Sequence, residues 1–292
     1  MSHTQTQLKG YAAMLLAMVT WASAVVVIRI GLKGYHPGSL ALLRYLTASI
    51  AILPVYIKIK KPAWRVTVKD IFLIVVSSML GIGLYNIALN YGEITVQAAT
   101  ANFVIAQVPV LSTVIAILFL GDPNTLQTWL GILVSFLGIL LIAFSHGHLE
   151  ISHGLLLILL ATVFAALYVT MQKPVLGKVG GLRYACYAIW VGSIILIYYA
   201  PQLKLDLRHA PLTGTLSGIY LGIVPGAIGY ALFSYALSNL STTKAVSIMY
   251  AAPAMTLFLG WIMLGEVPAG LSIASGALAL VGAFVVNRRR KP

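Results

Sequence analysis

The sequence predicts an all-α integral membrane protein whose ten transmembrane helices form two inverted-topology five-helix repeats around a central cavity. Three observations lead there. The 292 residues are 60% hydrophobic and only 9% charged, with a mean hydropathy of +0.96, more apolar surface than a soluble core of this length could hide. Apolar runs of about 20 residues, the length that crosses some 30 Å of hydrocarbon, occur ten times: near 11–31, 38–57, 70–91, 95–120, 126–145, 153–173, 182–200, 214–237, 242–264 and 268–287. Landmarks also recur at one offset of 144 positions. Pro109 returns as Pro253, Tyr91 as Tyr235, Ala101 as Ala245, Leu120-Gly121-Asp122 as Leu264-Gly265-Glu266, Gly138 as Gly282, and Arg29 as Lys173. Prolines, glycine-acid pairs and lone cations are rare in apolar runs, so their shared offset points to duplicated halves, 1–146 and 147–292. Five spans per half is an odd number. The second copy therefore enters the membrane from the opposite side, with a pseudo-twofold axis in the membrane plane.

Taken in order, the runs differ in what interrupts them. In the first, Ala22-Ser23-Ala24 imitates a signal-peptidase site, but only Lys9 precedes it and the apolar pattern continues through Ile30, so cleavage is not expected. The second carries Arg44 about 10 Å into the membrane by helical rise. In the third, Asn86 and Asn90 share a face with Tyr85 beside them; in the fourth, Thr100 and Gln107 share a face. Pro109 in the fourth run and Pro253 in the ninth each remove a backbone hydrogen bond near mid-span, which makes them candidate hinges or gates. The seventh holds Cys186, the lone cysteine, expected to be a small packing residue. The eighth spaces Gly218, Gly222 and Gly226 every four residues, a pattern that lets a neighbouring helix approach closely. No connection is long enough for a separate domain.

Lys and Arg set the orientation. With the N-terminus inside, the cytoplasmic segments hold Lys9, Lys58, Lys60, Lys61, Arg65, Lys69, Lys173, Lys178, Arg183, Lys244, Arg288, Arg289, Arg290 and Lys291; the exterior holds only Lys33, Lys204 and Arg208. Both termini are expected in the cytoplasm. The net charge of +13 is thus topogenic, because its cations sit at span ends and form no basic face for nucleic acid. Trp64, Trp129 and Trp261 lie near expected interfaces and read as an aromatic belt.

At this point the chain resembles the ten-helix drug/metabolite transporters of the EamA type. The resemblance rests on Trp21-Ala-Ser with trailing Arg29, Leu42-Leu43-Arg44, Pro109-Val110, Leu120-Gly121-Asp122, and the second copy's Ala252-Pro253 and Leu264-Gly265-Glu266. It covers nearly the whole chain; Asp122 departs from the family's more usual glutamate. It implies a five-plus-five bundle around a cavity that faces each side of a bacterial inner membrane in turn. Within the family, the chain is most similar to amino-acid exporters, including those for aromatic amino acids.

The candidate binding residues follow from what such a cavity would need. All six acidic residues fall in loops or at span ends, so no mid-membrane carboxylate is expected, and the histidines read as loop or terminal. A pump for organic cations normally needs a buried counter-charge, which favours uniport of a neutral or zwitterionic substrate. Asn86, Asn90 and Gln107 can hydrogen-bond a zwitterion or join helices to one another, and both readings stand. Tyr85, Tyr168, Trp190, Tyr230 and Tyr250, with Trp21 from the family motif, offer apolar faces with polar tips that suit an ammonium or an aromatic side chain. Arg44 and Lys244 either anchor their helices or attract a substrate carboxylate. No cofactor is expected. His146-Gly-His148 with His153 more often caps helices than binds metal. The expected partners are a small-molecule substrate and membrane lipid, with the chain acting as a monomer. HExxH, G-x-S-x-G and buried aspartate pairs are absent from the sequence, which argues against an intramembrane enzyme. The alternatives are a carrier for a purine or organic acid, proton-coupled drug efflux, and a channel or receptor.

Overall fold

Helix ends in this chain follow its caps, prolines and glycines. The computed structural model describes residues 3–59, 66–120, 125–143, 152–240, 248–249 and 251–287. Helix α1 runs His3–Gly31; α2 is Pro37–Ala51, opening on a proline whose missing N–H costs nothing in a first turn, and α3 is Leu53–Lys58. A capping box starts α4, Val68–Ser78: the Thr67 hydroxyl accepts from the Asp70 amide at 3.2 Å and the Asp70 carboxylate from the Thr67 amide at 3.0 Å. A π-helical segment, Met79–Leu84, leads into α5, Tyr85–Gly92. The fourth span is broken into α6, Ala98–Ile105, and α7, Val108–Leu120. Then come α8, Leu126–Ala143, and α9, His153–Val179. Gly180, in the left-handed region at φ 80°, turns the chain into α10, Gly181–Leu196. Helices α11, Ala200–His209, and α12, Leu212–Leu221, precede a second π-helical segment, Gly222–Gly229, and α13, Tyr230–Asn239. Helix α14 is Ala252–Leu264 and α15 is Gly270–Asn287. Among the described residues, regular structure is entirely helical.

Seven helical stretches are long and apolar enough to cross a membrane, and three shorter apolar helices, Leu126–Gly138, Ala252–Leu264 and Ile273–Val285, fall in the remaining expected spans. Large apolar side chains face outward all round: Ile50, Phe72, Trp261 and Phe284 are each more than half exposed. Trp129 and Trp261 lie on this outer surface, whereas Trp64 lies outside the described residues.

Two kinds of packing position the interior. Helix α2 packs on the Gly222–Gly229 segment and on α5, α10 and α12, while α1 packs on α12, α13 and α14. The expected glycine face is where α2 approaches: a Cβ on Gly222 would lie 2.4 Å from the Arg44 carbonyl oxygen, and one on Gly218 2.4 Å from the Leu43 side chain. Away from this centre, α8 packs along α15. There a Cβ on Gly138 would meet the Ala279 amide nitrogen at 2.4 Å, and one on Gly282 the Ser135 nitrogen at 2.3 Å. The Ser135 hydroxyl also donates to the Ala279 carbonyl at 2.8 Å, between residues 144 positions apart.

The same offset relates backbone features. Shifted by 144, Met79–Leu84 falls inside the second π-helical segment, and Val108, where α7 begins, maps onto Ala252, where α14 begins. Pro109 and Pro253 therefore sit in the first turn of a new helix, where a proline fits. The expected mid-helix kink at Pro109 is replaced by a break at Ala106–Gln107, because the proline ring cannot coexist with a continuing helix one turn earlier.

Candidate functional site

A polar knot joins α2 to α5. Arg44 is 4% exposed, and its Nη1 donates to the Asn86 Oδ1 at 3.0 Å. Asn86 in turn donates to the Tyr45 hydroxyl at 2.9 Å and to the Ile82 carbonyl at 2.8 Å, and the Arg44 guanidinium lies 5.3 Å from the Tyr45 ring centroid. One helical turn on, Asn90 donates to the Pro37 carbonyl at 3.0 Å. The guanidinium thus faces the bundle interior, which spares it the lipid.

Aromatic rings extend this knot across the bundle. Trp21 stacks edge-on against Tyr230 with centroids 5.3 Å apart and touches Phe233 at 4.8 Å; Tyr168 reaches Tyr230 at 6.4 Å and Tyr184 at 5.9 Å. The π-helical segments hold these rings. Trp21 Nε1 donates to the Pro225 carbonyl at 3.2 Å, since a wide turn releases carbonyls from the helical ladder. The Tyr168 ring lies over Gly81, where any Cβ would stand 2.3 Å from it. Asn86 and Tyr230, 144 positions apart, each follow a π-helical segment closely.

Charged groups gather at the end of the bundle that carries Gly31 and Glu93. Arg29 pairs with Glu266 at 2.6 Å and donates to the carbonyls of Glu93 and Val96, while Glu266 accepts the Ala98 amide at 3.1 Å. The Leu264-Gly265-Glu266 landmark acquires a physical meaning here. Gly265, at φ 67°, ends α14 in a left-handed turn that swings Glu266 onto Arg29 and the start of α6. At the opposite end, Lys178 holds Asp70 at 2.7 Å.

Glu93 adds to the sequence reading. It follows α5, at a span end as expected, yet it is 1% exposed and neither carboxyl oxygen has a hydrogen-bond partner. Burial pushes its carboxyl well above the usual range; Arg29 and Arg44 pull it part of the way back, and Glu266 opposes them. Sequence position alone could not reveal this, because burial depends on how distant segments pack around the loop, where Arg29 donates to the Glu93 and Val96 carbonyls. The expectation of uniport rests on the lack of a mid-membrane carboxylate; Glu93 sets a buried carboxyl at a span end.

The remaining candidates are dispersed. Gln107 accepts from Ser135 and donates to the Phe103 carbonyl at 3.5 Å, so it joins the fourth span to α8 away from the aromatic group. Trp190 belongs to a second cluster with Tyr56 and Tyr187, and its indole donates to the Ser49 carbonyl at 3.2 Å. Tyr85 is packed against the main core. Lys244, Tyr250, Asp122, His146 and His148 lie outside the described residues. An apolar groove of about 360 Å³ is lined by Ala51, Val55, Leu182, Ala231 and Tyr235 among others, and by none of the candidate residues.

Comparison with known proteins supplies the family. A model of the EamA-like transporter family matches twice, over residues 8–144 and 152–288. The chain belongs to the EamA-like transporter family. It is 35% identical, over 96% of its length and 94% of the relative's, to a probable terminal-alkyne amino-acid exporter of Streptantibioticus cattleyicolor. It is also 36% identical to the transporter YdfC of Bacillus subtilis, over 90% of this chain and 85% of that one. A solved chain of 17% identity overlays with a TM-score of 0.63, covering 97% of this chain and 96% of its own; that likeness concerns the fold. As an EamA-like protein, the chain is a multi-pass membrane transporter, and the two family matches are themselves displaced by 144 residues.

Proposed function

We propose that this transporter exports small neutral amino acids, aromatic ones included, across a bacterial inner membrane by alternating access, with both termini cytoplasmic. The observation that carries this reading is the 35% identity, over nearly the full length of both chains, to a protein named as a probable amino-acid exporter. The Arg44–Asn86 knot and the Trp21, Tyr168 and Tyr230 rings support it, because together they offer polar anchors for a head group and apolar faces for a side chain. Two inverted five-helix repeats, 1–146 and 147–292, are part of the proposal. Their support is the paired family match and the paired π-helical segments. Pro109 and Pro253, starting helices at equivalent points, are the proposed hinges.

Buried Glu93 favours a second reading of the energetics, in which export is coupled to protons. One experiment addresses both points. Purified protein in liposomes preloaded with unlabelled amino acid is expected to take up labelled phenylalanine or leucine by saturable counterflow. Absence of counterflow across neutral amino acids would refute the substrate class. Stimulation by an imposed pH gradient supports coupling; indifference to the gradient supports uniport.

A further inference from the structure

We infer that Arg44, Asn90 and Glu93 form a two-ended site for the head group of a zwitterionic α-amino acid, with Arg44 receiving the carboxylate and Glu93 with Asn90 receiving the ammonium. The inference rests on the amino-acid export reading above and goes beyond it by assigning each charge of the substrate to a residue.

Hydrogen-bond bookkeeping carries the argument. Buried polar atoms without partners are rare, and each one calls for an explanation. Among the described residues several of them lie along the α2–α5 seam: Arg44 Nε, a donor; Asn90 Oδ1, an acceptor; and both carboxyl oxygens of Glu93, whose carboxyl feels the Arg44 charge. All three residues are at least nine-tenths buried. Two neighbouring polar atoms are committed: Arg44 Nη1 to Asn86, and Asn90 Nδ2 to the Pro37 carbonyl. Asn86, Asn90 and Glu93 follow one another at four and three residues, so they line one face at the end of α5, and the Asn86 contact fixes that face opposite Arg44. What is left over is one cationic donor on α2 and amide and carboxyl acceptors at the end of α5.

That residue set selects a ligand class. A carboxylate accepts from the guanidinium and an ammonium donates to Oδ1 and the carboxyl oxygens, so a zwitterion satisfies every orphan at once. An organic anion would leave Glu93 and the Asn90 Oδ1 without a donor, and a monocation would leave the Arg44 Nε without an acceptor. Arg29 and Glu266 also bear on this region but are already bonded to each other, to backbone carbonyls and to the Ala98 amide.

The test uses the reconstituted full-length protein and whichever of phenylalanine, leucine and threonine it exchanges fastest. Unlabelled amino acid, its amide, which lacks the carboxylate, and its deaminated acid, which lacks the ammonium, compete against labelled counterflow. In the wild type each analogue is expected to compete at least roughly tenfold more weakly than the parent. In Glu93→Gln the handicap of the deaminated acid should shrink while that of the amide persists, and Arg44→Gln should do the reverse. Two results would overturn the assignment while leaving amino-acid export intact: analogues that compete as well as the parent in the wild type, or substitutions that weaken all three ligands equally. The wild-type arm stands even if a variant fails to fold. Failure of the wild type to exchange any amino acid would overturn the export reading and this site together.

Discussion

A buried carboxyl with no donor on either oxygen favours its proton until a cation arrives, and burial raises Glu93 accordingly in the substrate-free chain. The consequence for stability has a definite sign. Below the ordinary carboxylate range Glu93 is neutral in both folded and unfolded chains and contributes no pH dependence. Above that range the unfolded chain ionises while the folded one keeps its proton, so stability falls as pH rises towards the raised value. Glu93→Gln removes this slope. Melting temperatures in detergent between about pH 5 and 8 should therefore fall more steeply for the wild type than for the variant; parallel curves would contradict the burial argument. A second residue-scale expectation concerns Asn86, which bridges Arg44, Tyr45 and Ile82. Asn86→Leu strips a buried guanidinium of an acceptor and should destabilise by about 2 kcal/mol, read as a lowered melting temperature. Arg44 and Asn86 were legible in the sequence as unusual residues inside apolar runs. Their mutual contact was not, because it depends on how closely α2 and α5 approach.

At the level of helices, glycine does most of the positioning. Gly138 and Gly282 let α8 and α15 touch backbone to backbone, so Gly138→Leu and Gly282→Leu should each cost about 1–3 kcal/mol through overpacking. Gly177, with open space where its Cβ would be, supplies the control. Gly177→Ala should be neutral or stabilise by up to about 1 kcal/mol, since alanine is the better helix former. Thermal unfolding of the three variants in one detergent compares them directly. The Gly218, Gly222 and Gly226 spacing announced a close neighbour from sequence, and α2 fills that role. The π-helical segments were not legible. An extra residue in a turn leaves hydropathy unchanged, so Met79–Leu84 and Gly222–Gly229 look like ordinary membrane-spanning sequence until their backbone is seen.

For the molecule as a whole, the lone Cys186 is buried and free, which leaves a quiet background for thiol labelling. With both termini cytoplasmic, Arg208→Cys should react with a membrane-impermeant maleimide on intact cells, and Lys69→Cys only after permeabilisation. The opposite pattern would invert the orientation inferred from the Lys and Arg distribution. The helical stretches long enough to cross a membrane could be read from apolar length; where the fourth of them breaks and which candidate residues converge could not. Gln107 and Trp190 looked equivalent to Asn86 and Tyr230 in sequence, but span membership does not fix the direction in which a side chain points. The contact between Ser135 and Ala279 has a consequence for how such a chain changes over generations. In an assembly of two identical halves, these two positions would be one residue meeting itself, so any substitution would be felt from both sides at once and only self-compatible side chains could survive. Joined in one chain, the two positions can vary separately. Here one has kept a hydroxyl that serves both Gln107 and the facing backbone, while its counterpart is a plain methyl.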